Sequence, residues 1–158
     1  IGADDFITKP FNIGILKARI KNLIEQRRKL RKLFALGGNM DISEIVPNKT
    51  DATFLGKMNR IIEDNLDNPD FGPVSLASGM ALSKMQLYRK VSALTNQTVY
   101  QYIRTYRLNK AVQLLLSSDL QIAEIAYRVG FSEASNFSKT FSQHFKFTPS
   151  QFIKENKK

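Results

Sequence analysis

Two short runs of side chains carry most of the chemistry this chain can do. Lys84, Met85, Tyr88 and Arg89 form one, interleaved with Leu87 and Val91. Ala134, Ser135, Asn136, Ser138 and Lys139 form the other, interleaved with Phe137 and Phe141. Apolar residues three to four apart put each run on the outer face of a helix. That face can form hydrogen bonds. An arginine fork grips guanine O6 and N7, an asparagine amide pairs with adenine N6 and N7, and Ser or Lys holds phosphate oxygens. Arg89 is the better guanine reader, Asn136 suits adenine, and Lys139 reaches guanine or phosphate.

Catalytic chemistry has far less to draw on. The sequence holds a single His, His144, and no Cys. Disulfides, thiolate metal sites and thiol nucleophiles are therefore excluded. His144 lies beside Phe145 on a helical pattern and reads as a surface or partly buried residue. There is no Ser/His/Asp set, no Gly-rich phosphate loop and no metal-ligand cluster. The expectation is a protein that is not an enzyme, with no catalytic residue, no metal and no cofactor.

The polar runs need elements to aim them. Residues 122–152 read as a short helix, a tight turn at Gly130, a second helix capped by Ser132, and a third started by Pro149. This is the outline of a helix-turn-helix, which lays its second helix in the major groove of DNA. Residues 76–91 repeat the outline in part, with Ser83 as the equivalent cap. Ser83-Lys84-Met85-Gln86, Thr98-Val99-Tyr100-Gln101 and Thr148-Pro149-Ser150-Gln151 each fit a capping box, in which side chain and backbone at a helix start satisfy each other. Phe54, Leu55, Met58, Ile61, Ile62 and Leu66 mark an earlier helix that Asn68-Pro69 would end. Phe131, Phe137, Phe141 and Phe145 belong to a core, their spacing being helical and inward.

Between the two corners runs one long helix, from Val99 to about Leu116, with Val99, Ile103, Tyr106, Ala111, Leu114 and Leu115 inward. Roughly 19 residues at 1.5 Å each span about 28 Å. Major-groove faces on one side of B-DNA recur at about 34–36 Å. With the width of its flanking helices, such a rod can seat two recognition helices in adjacent grooves. Arg104 and Arg107, on this rod, read as contacts to the DNA backbone or as solvated charges. The expected fold is all-α: two helix-turn-helix subdomains on a long central helix.

Charge agrees with a polyanionic partner. The net charge is +10 in 158 residues, 42% of them hydrophobic. Neutralising phosphates releases counterions, so excess positive charge favours nucleic acid. Residues 1–36 carry +6, 37–50 carry −1 and 51–158 carry +5. The middle piece, GGNMDISEIVPNKT, reads as a linker. In the first piece, Ile13, Leu16, Ile20, Leu23, Leu30 and Phe34 form a heptad-like seam, which suits either a dimerising helix over about 12–36 or a helix packing one face on its own domain. No apolar run approaches the roughly 20 residues that span a bilayer. The absence of an initial Met suggests a piece of a longer protein.

The stretch Ala126 to Phe152, AYRVGFSEASNFSKTFSQHFKFTPSQF, resembles the signature of the AraC-type (AraC/XylS) transcription regulators. The resemblance extends back to about Asp51. It implies two helix-turn-helix units that bind promoter DNA in adjacent major grooves. Two positions depart from the family's pattern. Ala81 stands where the family often has Gly at the first turn, so that corner is expected to differ in shape. Lys146 stands where Gly usually follows the second recognition helix, which puts its cap in question.

Ahead of these units, GADDFITKPF resembles the last strand and following loop of a response-regulator receiver domain. The resemblance makes Lys9 the lysine beside the phosphoryl group, Pro10 its customary partner and Phe6 the aromatic switch. A compact ammonium suits that role. The phosphoacceptor Asp would then lie upstream, and residues 1–10 are expected to be disordered or to pair with another copy. The organisation expected is a receiver tail and signalling helix at 1–36, a linker at 37–50 and an AraC-type domain at 51–158. A receiver joined to such a domain resembles the hybrid two-component regulators of gut Bacteroidetes, whose usual task is activating carbohydrate-utilisation genes. A stand-alone response regulator fits the same residues.

The resemblance implies double-stranded promoter DNA as partner and a homodimer formed through 12–36 or the full receiver. It also allows contact with RNA polymerase and implies a cytoplasmic location without membrane contact from this segment. The alternative is a dimerising protein-interaction module of a signalling protein, without sequence-specific DNA binding.

Overall fold

The structure is a computed structural model that describes residues 49–156 and, before them, residues 13, 14, 17, 18, 20–22, 24 and 25. The described residues of the earlier stretch are helical, in keeping with a helix over 12–36. The proposed strand with Phe6, Lys9 and Pro10, and most of the linker, lie outside the described residues. From residue 49 onward the chain forms α1 (Lys49–Glu63), α2 (Pro73–Gly79), α3 (Lys84–Thr95), α4 (Val99–Ser117), α5 (Ile122–Arg128), α6 (Ala134–Phe145) and α7 (Pro149–Asn156). There is no strand among the described residues.

Local chemistry sets most of the helix starts. Ser83 accepts from the Gln86 N–H while Gln86 accepts from the Ser83 N–H, starting α3. Thr98 and Gln101 do the same for α4, and Thr148 and Gln151 for α7. Pro73 opens α2 and Pro149 opens α7, where a missing N–H costs nothing. The second corner departs from expectation. The cap of α6 is Glu133 rather than Ser132, and no side chain accepts a bond from the helix start. α1 also ends earlier than its apolar pattern suggests, at Glu63, and residues 64–67 continue as turns. Leu66 does not extend α1; it packs against a core other than the one α1 serves.

Two hydrophobic cores share α4. Leu55, Met58 and Ile62 of α1, Leu76 of α2, and Leu87 and Val91 of α3 close the first over Val99, Tyr102 and Ile103. Leu108, Ala111 and Leu115 then join Ile125, Ala126, Val129, Phe137 and Phe141 in the second. A helix that serves two cores buries more than one face, which explains why Tyr102, Thr105 and Leu108 are buried along with the expected Val99, Ile103, Ala111 and Leu115, while Tyr106 and Leu114, also expected inward, are half-buried. In the second core Phe141 sits 5.6 Å from Phe137, 4.6 Å from Phe145 and 5.6 Å from Phe152, centroid to centroid. Tilted and edge-on rings at these separations add attraction beyond burial. Phe137 and Phe141 are wholly buried, so their expected core role holds.

The two corners are built alike. At the first, Met80 N–H bonds to Leu76 O, Ala81 N–H to Ser78 O and Leu82 N–H to Ala77 O. At the second, Val129 bonds to Ile125 O, Gly130 to Tyr127 O and Phe131 to Ala126 O. Ala81 takes φ 55° and Gly130 φ 78°, both left-handed. The first corner therefore keeps the shape of the second despite Ala81, at a cost of about 1 kcal/mol for a Cβ in this region. Lys146 likewise holds the left-handed cap of α6 at φ 67°, and its Nζ donates to Gln143 O at 3.0 Å. The cap survives without Gly.

Candidate nucleic-acid interface

The exposed start of α3 is the first half of the site. Its capping box fixes the first turn, and burial of Leu87 and Val91 turns Lys84, Met85, Tyr88 and Arg89 to solvent. Met85 is 64% exposed and Tyr88 43%, unusual for side chains of this size with no interior to fill. Neither Lys84 nor Arg89 makes an ion pair or side-chain hydrogen bond with another described residue. Lys90 behaves differently, pairing with Asp51 at 3.5 Å and lying 4.5 Å over the Phe54 ring. It belongs to the packing of α3 on α1.

The second half is the start of α6. Burial of Phe137 and Phe141 leaves Ser135, Asn136 and Lys139 exposed, while Ala134 and Ser138 are half-buried and Ala134 leans on the second core. Asn136 Oδ1 accepts from Thr140 Oγ1 at 3.3 Å. That bond orients the amide and leaves its N–H donors and a second lone pair for a base edge. Ser135 Oγ donates to the Glu133 carboxylate at 3.2 Å. Glu133, hidden from sequence reasoning behind Ser132, thus stands at the head of the recognition helix, where a carboxylate can accept from cytosine N4.

α4 contributes differently from what its sequence suggests. Arg104 is exposed, with Tyr100 one turn before it and 64% exposed. Both line a groove of about 320 Å³ between the units, together with Phe71, Phe131, Asn136 and Thr140. Arg107 is not the freely solvated charge that its place on a helix suggests. It is half-buried, and its guanidinium donates to Gly130 O at 3.1 Å and Asn68 O at 2.6 Å. Burial lowers its pKa, although a guanidinium stays charged at any ordinary pH.

Other ionisable groups brace the frame. Tyr106 donates to Glu63 at 2.5 Å, and Lys110 pairs with Glu63 at 2.9 Å, joining α4 to α1. Partial burial alone would raise the Glu63 pKa, but the bonds from Lys110 and Tyr106 outweigh it and hold the carboxyl below its ordinary range. His144 is half-buried; burial and then the charges of Arg104 and Lys146 push its pKa down. Among the described residues no three His, Cys, Asp or Glu side chains group as metal ligands, and no helix is long and apolar enough to cross a membrane.

Residues 76–155 match the family model described as a helix-turn-helix domain. A histidine kinase P4 of Formosa agariphila is 38% identical over 151 residues, which is 96% of this chain and 11% of that protein. The chain thus spans a small part of that relative's length. Among solved structures, the C-terminal domain of AraT, a response regulator from Geobacillus stearothermophilus, superposes with a TM-score of 0.61 and 26% identity. It covers 66% of this chain and 87% of its own. A transcriptional regulator from Chromobacterium violaceum, described as of the AraC-type DNA-binding class, gives a TM-score of 0.62 and 27% identity. It covers 69% of this chain and 96% of its own.

Proposed function

Because the chain belongs to the helix-turn-helix domain family, we propose that it reads double-stranded promoter DNA through two recognition helices, as the output segment of a two-component signalling protein. α3 lies in one major groove and α6 in the next. Lys84, Met85, Tyr88 and Arg89 contact the first, and Ser135, Asn136 and Lys139 the second, with Ala134 and Ser138 along the flank of α6. The observation that carries this reading is the repeated corner. Two helices, each entered through a left-handed residue at Ala81 or Gly130, expose polar first turns on a shared rod.

The phosphorelay link rests on a different observation. Similarity to the Formosa histidine kinase runs through nearly the whole chain, so it includes residues ahead of the DNA-reading units. A receiver tail holding Phe6, Lys9 and Pro10 within residues 1–36, followed by a linker over 37–50, accounts for that extension. Ile13, Ile20 and Ile24 are exposed on helical backbone, which suits a seam for a second copy. Phosphorylation upstream would promote pairing there, and paired chains would bind repeated sites and activate carbohydrate-utilisation genes, with RNA polymerase as a downstream partner.

A salt titration tests the DNA reading. Binding of the full chain to duplexes enriched from a random pool should weaken steeply between about 50 and 200 mM salt, as expected when several phosphates are neutralised. Absence of measurable duplex binding at the lower salt would favour the protein-interaction module instead.

A further inference from the structure

Two recognition helices read adjacent grooves only if something fixes the distance between them. A continuous α4 sets their separation along one axis, yet two separate cores could still rock about it. The contacts that bridge the cores meet at one place. Leu66, from the turns that leave α1, packs into the second core. A Cβ at Gly130 would stand 2.3 Å from Leu66 O and 2.7 Å from Arg107 Cζ. The absence of a side chain therefore lets the second turn press against the backbone of the first unit. Arg107 stitches the same three pieces together, bonding Asn68 O of the first unit and Gly130 O of the second from its own place on α4.

We propose that Arg107 is a positioning residue that sets half-site spacing: its fork locks the first unit's loop to the second unit's turn and holds α3 and α6 at one separation. The inference rests on the two-groove reading given above. Its chemistry suits the task. A guanidinium presents donors in a rigid plane, so one side chain can satisfy two carbonyls in fixed directions. A lysine offers its donors from a single rotating point, without the rigid plane that holds two bonds in fixed directions. Both bonds go to backbone carbonyls, so the lock depends on the course of the chain and no partner side chain was available to reveal it in the sequence. If Arg107 were shortened, Gly130 O would lose the guanidinium and Asn68 O would keep only the Phe71 N–H, and the groove beside Arg104 and Phe131 would be free to open.

The test uses the full chain and duplexes carrying the two selected half-sites, with the spacer changed by zero, one or two base pairs either way. Wild-type protein should bind one spacing at least tenfold better than its neighbours. Arg107→Met should bind an isolated half-site as wild type does, lose about three- to tenfold at the best spacing, and discriminate less than threefold among neighbours. Arg107→Lys should fall between the two, and it carries the test alone if the Met variant fails to fold. A spacing profile unchanged in the Lys variant, and in the Met variant where it folds, would overturn the inference. A salt-dependence slope lowered by about one with the profile intact would also overturn it, because Arg107 would then be a phosphate contact. Wild-type protein that gains nothing from the second half-site would overturn the two-groove reading itself, and the inference with it.

Discussion

In the proposed two-groove reading, base recognition turns on Arg89 and Asn136. Each is exposed at the start of a recognition helix, and each has the donor geometry for one base. Arg89→Ala should cost about 1–3 kcal/mol of DNA binding and relax preference at one position. Binding assays against single-base variants of the selected site would check this; equal weakening on all of them would make Arg89 a phosphate contact. A second residue-scale outcome concerns backbone strain. Ala81 is exposed and left-handed, so Ala81→Gly should raise stability by about 1 kcal/mol in denaturant melts. A loss of stability there would mean that the unfolded-state entropy of Gly outweighs the relief. These positive-φ residues show where sequence patterns stop. Gly130 announces its turn by its type, whereas Ala81 and Lys146 take the same backbone region without the residue type that signals it.

At the scale of elements, caps and cores decide. Thr98→Ala removes half of the box that starts α4 and should cost about 1 kcal/mol. Phe141→Ala empties the centre of the second core and should cost about 3–5 kcal/mol, read by thermal or urea unfolding. The tie between α1 and α4 gives a pH dependence. Glu63 has a lowered pKa when folded, so its contribution is fully present above the ordinary carboxyl pKa and is lost as pH falls through the lowered value. Glu63→Gln should therefore narrow the stability difference between neutral and acidic pH, and a difference left unchanged would count against the tie. The helices themselves were legible because boxes, Pro starts and apolar spacing all act within a few residues. The end of α1 was not, since Leu66 continues the apolar spacing yet serves the second core. Glu133 was hidden for a related reason: Ser132 is the better capping type, but the second corner runs one residue longer before its helix begins.

At the scale of the whole molecule, two helix-turn-helix units share one rod. The duplication and the rod were visible in the sequence, through Ser83, the turn at Gly130 and the run from Val99 to about Leu116. The lock between the units was not visible, because Arg107 acts on backbone carbonyls far away along the chain, and a charged residue on a helix ordinarily reads as solvated. The measurement that bears most directly on the central claim is selection of bound duplexes from a random DNA pool by the full chain. The expected product is a bipartite motif whose halves are centred about 10–10.5 base pairs apart, one turn of the duplex. Arg89→Ala should degrade one half and Asn136→Ala the other. A single uninterrupted block, indifferent to one of the two substitutions, would contradict the claim that this chain reads two grooves.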